Sequence, residues 1–211
     1  MGRLYLGNQE IAPILYDKEA SIGLPREVSS QGVYGYPAQN FSFSLPSDAT
    51  NVGSYALYYA FRYCSSLTSV DLSSLTTVSG NSAFYYAFQD CSNLTSVDLS
   101  SLTTVSGSSA FSSAFSYCNG LTSVSFPALT TITGGSAFSS AFQYCSNLTS
   151  VSFPALTTSS FGSRTNQFNN MLQGCTGVTV HFPSAIQSTI GSWSSVTGGF
   201  GGTNTTVLFD L

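Results

Sequence analysis

Five cysteines mark a regular interval along this chain. Cys64, Cys91, Cys118 and Cys145 stand 27 residues apart, Cys175 follows after 30, and no other cysteine occurs. Apolar positions keep the same interval. Leu67, Leu94, Leu121, Leu148 and Val178 lie three residues after each cysteine, and Val70, Val97, Val124 and Val151 three further on. Leu72, Leu99, Phe126 and Phe153 come two residues later. Leu75, Leu102, Leu129 and Leu156, then Val78, Val105 and Ile132, complete the pattern. A fixed period of roughly 20–50 residues means that each unit buries its apolar face against its neighbours, as in a solenoid or propeller. Propeller blades take about 40–50 residues. A period of 27 leaves the solenoid.

Two shorter periods separate within one unit. V-D-L or V-S-F alternates apolar, polar, apolar, which predicts a half-buried strand, and L-T-T-V predicts a second extended piece. A-F-x-x-A-F-x-x-C places Ala83, Phe84, Ala87, Phe88 and Cys91 on one face of a short helical turn. Gly80, Gly107 and Gly134 punctuate the units as turn residues do.

L-T-S-V-D-L with A-F-x-x-A-F-x-x-C resembles the BspA-type leucine-rich repeats of bacterial surface proteins and some phage-encoded proteins. The resemblance covers about residues 54–186. It implies a leucine-rich-repeat solenoid: stacked 27-residue coils, a parallel β-sheet on one side, short helical turns on the other, and caps at both ends. It also implies adhesion or protein recognition rather than catalysis. The last unit departs from the pattern through three extra residues before Cys175 and a shortened T-V-H-F strand. Ser159 also stands where its column calls for Val or Ile. LYLGNQEIAP at the start and GGTNTTVLFDL at the end resemble phage- or prophage-encoded repeat proteins, which would make the chain a phage-tail or host-receptor-recognition component rather than a bacterial adhesin.

Composition narrows the function. Hydrophobic residues make up 42% and charged ones only 7%, with net charge −4, so there is a core but no basic field for nucleic acid. No apolar run approaches the ~20 residues of a membrane span, and the opening lacks the apolar core of a secretory signal. For an extracellular or virion-surface location the expectation is export without this signal, the alternative being a chain already processed. Residues 41–186 form the expected solenoid, beginning with the degenerate coil FSFSLPSDATNVG. Residues 187–211, with Trp193 and T-T-V-L-F-D-L, form the expected C-terminal cap. Residues 1–40 hold half of all charged residues and read as a non-repeat attachment segment or an extended cap.

Catalysis finds little footing. His181, the single histidine, aligns with the outward column Asp71, Asp98, Ser125 and Ser152, so a serine could approach it. Asp98 would lie about 14 Å away at a strand spacing of ~4.8 Å, whereas a triad needs contacts near 3 Å. The expectation is an exposed imidazole and no enzyme. Asp71 and Asp98 should neighbour each other, and calcium would relieve their repulsion, but the surface offers too few further carboxylates. Cysteines 27 residues apart do not have zinc spacing and read as small core residues. No cofactor or metal is expected. Neighbouring helical turns would stand about 8–10 Å apart, too far for disulfides between successive coils.

Surface is what remains. Outward ladders of Thr68, Thr95, Thr122 and Thr149 run beside Asp71 and Asp98, while Tyr58, Tyr59, Tyr85 and Tyr86 crowd the helical side of the first two coils. Tyrosine supplies stiff contact area with a hydroxyl, although such rings also pack between coils. These ten residues are the candidate binding surface for a protein or carbohydrate on a cell surface. The alternative is a structural protein that self-assembles into a filament or particle coat, with residues 1–40 serving oligomerisation or virion attachment.

Overall fold

A computed structural model describes residues 2–6, 9–14, 40–160, 166–188 and 199–211. Strands β1 (Gly2–Leu6) and β2 (Gln9–Ile14) pair antiparallel. From β3 onward the chain winds in stacked coils with three walls.

The first wall carries β3 (Phe41–Ser44), β5 (Leu67–Asp71), β7 (Ser96–Asp98), β9 (Ser123–Ser125), β11 (Ser150–Ser152), β12 (Thr179–Phe182) and β13 (Thr206–Phe209). The second carries β4 (Asn51–Val52), β6 (Thr77–Val78), β8 (Thr104–Val105) and β10 (Thr131–Ile132). Every strand pair in both walls is parallel. The register places like on like: Val70 beside Val97, Val124 beside Val151, and Val151 beside Val180. This is the predicted solenoid. The first wall is nevertheless split into a three-stranded sheet, β3-β5-β7, and a four-stranded sheet, β9-β11-β12-β13.

The third wall corrects the sequence reading. The A-F-x-x-A-F-x-x-C segments are not helices; they are ribbons of successive four-residue turns. Alternate amides close local turns, as Ala87 to Phe84 and Cys91 to Phe88. The amides between them reach the next coil, as Phe84 to Ala110 at 2.8 Å and Phe88 to Ala114 at 2.8 Å. One residue in four has positive φ: Tyr55, Tyr59 and Tyr63, then Ser82, Tyr86 and Asp90, and so on through Tyr144. A left-handed L-residue costs roughly 1–2 kcal/mol, which the bonding of amides both within and between coils offsets. Two Ala-Phe pairs and a cysteine at a spacing of four fit a helical stripe of period 3.6 and this ribbon equally well.

The glycines have a different role from the one expected. Gly80, Gly107 and Gly134 do not have positive φ; successive coils press together at these positions. A Cβ on Gly107 would stand 2.0 Å from the Gly80 carbonyl oxygen, and one on Gly134 2.1 Å from that of Gly107.

Inside, identical side chains pile up. Phe61, Phe88, Phe115 and Phe142 form one stack with centroids 5.4, 5.3 and 5.6 Å apart. Phe84, Phe111 and Phe138 form a second at 4.7 and 5.3 Å, and Phe126, Phe153 and Phe182 a third at 4.9 and 5.5 Å. The leucine column through Leu67, Leu94, Leu121 and Leu148 is buried throughout.

The irregular last coil is accommodated locally. The Cys-to-Phe hydrogen bond between coils lengthens from a separation of 30 residues to 33 at Cys175, which absorbs the insertion. Ser159 is exposed, and buried Ser160 continues the second wall by accepting from the Ile132 amide and donating to the Thr130 carbonyl. β13 adds a rung beside β12, and Val207 and Phe209 rest partly on the core. Trp193 lies outside the described residues.

Candidate functional site

The turn ribbon decides how the tyrosines stand. Tyr59 and Tyr86 occupy left-handed positions, and each follows a tyrosine of ordinary φ, so adjacent rings splay into edge-to-face pairs. Between coils the rings stack instead. Tyr58 lies over Tyr85 at 5.2 Å and 10°, and Tyr59 over Tyr86 at 5.2 Å and 11°. The four predicted residues therefore do come together in one aromatic block. Because ring faces are spent on each other along the axis, the block presents edges and hydroxyls outward. Tyr58 is 43% exposed; Tyr59, Tyr85 and Tyr86 are half-buried. Burial, then the hydrogen bond with Tyr58, pushes the Tyr59 phenol up to about 12. Burial and then the Tyr86 charge raise Tyr85. These hydroxyls keep their protons at physiological pH.

Sequence reasoning missed the residues that frame this block. Arg62, the only basic residue between positions 40 and 160, lies over the rings of Tyr63, Tyr59 and Tyr86 at 4.5, 5.1 and 5.7 Å. That solitary cation was the available signal. Its Nε is buried without a hydrogen bond, so the rings supply the compensation. Tyr55 and Tyr63 are exposed beside it. Asp90 is half-buried, and that burial raises its carboxyl although Arg62 pulls the other way. Tyr117 stacks on Tyr144 at 4.8 Å, extending the column that ends each turn ribbon.

On the first wall the threonine ladder is real, but two of its hydroxyls are engaged. Thr95 Oγ1 donates to the Thr68 carbonyl at 3.1 Å and Thr149 Oγ1 to that of Thr122 at 2.9 Å. A second ladder, not singled out from sequence, does the same through Thr76, Thr103 and Thr130. Asp71 and Asp98 are neighbours as expected. Each accepts the amide two residues on, from Ser73 and Ser100, both at 2.9 Å. The Ser73 hydrogen bonds hold the Asp71 carboxyl below its ordinary value, and Ser44 adds to them. No group of three or more metal-ligating residues exists among the described residues.

His181 is not the exposed imidazole expected. It is half-buried, and its Nδ1 lies 3.0 Å from Oδ1 of Asp210, a residue that sequence alignment of the coils could not bring beside it. Ser152 faces His181 across the β11–β12 register. Its hydroxyl donates to Ser125 at 2.9 Å, however, and no hydrogen bond joins it to the imidazole. The row is a surface hydrogen-bond ladder.

The cysteines line the inside of the turn wall. Coils there are hydrogen-bonded directly, so the expected 8–10 Å separation is replaced by strand-like spacing. Four of the five thiols are committed instead: Cys91, Cys118, Cys145 and Cys175 donate to the carbonyls of Phe61, Phe88, Phe115 and Phe142 at 3.1 Å. All five are buried. Burial pushes Cys64 up to about 12 and raises the others. We expect five thiols silent to a thiol reagent in the native state and all titratable after denaturation without reductant, measured by absorbance. Because folding raises these values above the ordinary 9.0, their contribution is intact below pH 9 and is lost as pH climbs toward 12. Thermal melts across that range should show the fall, and a melt constant up to pH 11 would contradict the burial.

A model for the BspA type leucine rich repeat region matches in six copies over residues 27–170 and 85–192. The chain belongs to the BspA-type leucine-rich repeat family. Among solved structures, a leucine-rich repeat protein of T. pallidum is similar, with 20% identity, 79% of this chain and 87% of that chain covered, and a TM-score of 0.32. No curated protein matches. The leucine-rich repeat fold is typically non-enzymatic and is commonly used for protein–protein binding or adhesion, and BspA-type proteins are often surface-associated. No helix among the described residues is long and apolar enough to cross a membrane.

Proposed function

We propose that this BspA-type repeat protein is a non-enzymatic adhesion protein that recognises a protein or carbohydrate at a cell surface through its tyrosine face. The observation that carries this reading is the block of Tyr58, Tyr59, Tyr85 and Tyr86 with Arg62 over two of its rings, an aromatic concentration at positions that hold Ser in the next two coils. Rigid amphipathic rings beside a guanidinium have the composition of a recognition hot spot. Residues 41–186 would recognise, 187–211 would close the stack, and 1–40 would attach the protein to its carrier. The resemblance of both chain ends to phage-encoded repeat proteins supports a virion as that carrier.

Replacing all four tyrosines by Ser tests the reading. Coils three and four already hold Ser112, Ser113, Ser139 and Ser140 there, with Ser113 and Ser140 in the same left-handed conformation. The fold should survive, with unchanged circular dichroism, and attachment to the target cell should drop more than tenfold. Undiminished attachment would remove recognition from this face. The rival reading, self-assembly into a filament or coat, predicts ordered assemblies in electron micrographs where an adhesin gives discrete particles.

A further inference from the structure

The first wall is broken at one junction. β7 and β9 share no ladder, although β5 pairs with β7 and β9 with β11. After β3, β5, β9 and β11 the next residue donates to the coil that follows: Leu45 to Asp71, Leu72 to Asp98, Phe126 to Ser152, Phe153 to His181. The Leu99 amide makes no such bond to Ser125. Likewise Thr95 donates to Thr68 and Thr149 to Thr122, but the Thr122 amide does not donate to Thr95. In a parallel strand successive residues turn their N–H and C=O alternately to the two neighbours. Since the Asp98 carbonyl faces β5, the polar groups of Val97 face β9, and those of Ser123 and Ser125 face back. Two strand edges thus confront each other unbonded.

The other walls stay joined between these coils, through Phe84 to Ala110 and through β8 to β10. The break opens into a surface cleft of about 560 Å³ that reaches across β7 to β5, lined by Val97, Val124, Asp71, Asp98, Ser125 and Pro127 among others. Val97 is half-exposed, whereas Val70, Val124 and Val151 are buried. The break falls where the repeat changes from V-D-L-S-S-L to V-S-F-P-A-L. There the larger Phe126 follows Leu99 in the stack, and Pro127 replaces a residue whose amide, at Ser73 and Ser100, binds the aspartate.

We infer that this cleft takes an extended peptide segment of another protein, bearing a basic side chain, as an added β-strand between β7 and β9. Main-chain groups on both sides supply the hydrogen bonds of strand addition. Val97 supplies the apolar floor. Asp71 and Asp98 supply the charge, for no Lys or Arg lies between residues 63 and 160, and the Oδ2 of Asp98 accepts no hydrogen bond. This site goes beyond the tyrosine face and does not depend on it.

Amide hydrogen exchange by NMR on the full chain tests the inference. In the free protein the Leu99 and Thr122 amides should exchange at least a hundredfold faster than those of Leu72 and Phe126. The probe is the peptide Ac-Thr-Ser-Val-Lys-Phe-NH2, which copies a rung of the wall with lysine at the aspartate position. At millimolar peptide both amides should slow at least tenfold, in the wild type and in the four-tyrosine variant alike. An analogue N-methylated at valine should protect neither, and Asp98→Asn should weaken the lysine peptide about threefold, as an exposed ion pair allows. Slow exchange in the free protein, no protection by the peptide, equal protection by the N-methyl analogue or protection by a neutral oligosaccharide instead would each overturn the inference. So would protection that grows with protein concentration alone, which would assign the cleft to a second copy.

Discussion

Leu94→Asp should cost more than the ~2–5 kcal/mol of a Leu→Ala cavity, because it also buries a charge without a partner. Leu94 is wholly buried and sits midway along an unbroken leucine column, between Leu67 and Leu121. Coils touch only their neighbours, so the damage should spread outward from the second coil and cut the stack in two. Thermal unfolding followed by circular dichroism checks this, with a fall of more than about 10 °C expected for a chain of this size. Limited proteolysis should cleave first between residues 80 and 110. A wild-type melting temperature would rule out the register of the whole solenoid.

Gly107→Ala should be nearly as severe for a different reason. The new methyl would stand 2.0 Å from the Gly80 oxygen and 2.6 Å from its carbonyl carbon, and both partners are backbone. Neither can swing away, so the coils must part where β6 and β8 are hydrogen-bonded. A loss of about 3 kcal/mol or more follows, at the upper end of overpacking effects. Gly177→Ala is the matching control. Gly177 has φ +70 but nothing within 4 Å of the new Cβ, so only the left-handed penalty of roughly 1–2 kcal/mol applies. Denaturant titration of both variants ranks crowding against backbone conformation, and a larger loss in Gly177→Ala would reverse the explanation given for the glycine ladder.

What was legible in the sequence was whatever repeats and is buried. The Leu, Val and Phe columns announced the coil length, the two strands per coil and the identity of the core, because stacking forces equivalent positions into equivalent surroundings. The third wall was misread because its apolar step of four residues is shared by a helix and by a ribbon of turns. Only the direction of the amides separates the two, and side-chain pattern is blind to that. The glycines were visible but their reason was not, since closeness of two backbones leaves no trace within one repeat. In the candidate site, the clustering of Tyr58, Tyr59, Tyr85 and Tyr86 followed from register alone. Arg62 escaped because it recurs in no other coil, and Asp210 because it lies beyond the last repeat. The cleft between β7 and β9 had a visible correlate, the change from Asp-Leu-Ser to Ser-Phe-Pro, whose effect depends on how much larger Phe126 is than Leu99.

The turn wall also has an electrical direction. All its amides that cross between coils point the same way: Leu57 to Ala83, Phe84 to Ala110, Phe111 to Ala137 and Phe142 to Met171 each donate from the earlier coil to the later. Peptide dipoles aligned head to tail add, as they do along a helix axis. Here about five lie side by side in every coil, so the wall behaves as a bundle of parallel dipoles. Its negative end is the first coil, where no described residue donates to the carbonyls of Ala56, Tyr58, Ala60 and Arg62. At the positive end the Asn170 and Leu172 amides are met by the carbonyls of Gly199 and Phe200. A solenoid polarised in this way attracts cations to one end and anions to the other, and two such bodies meeting end to end are drawn together head to tail and repelled head to head.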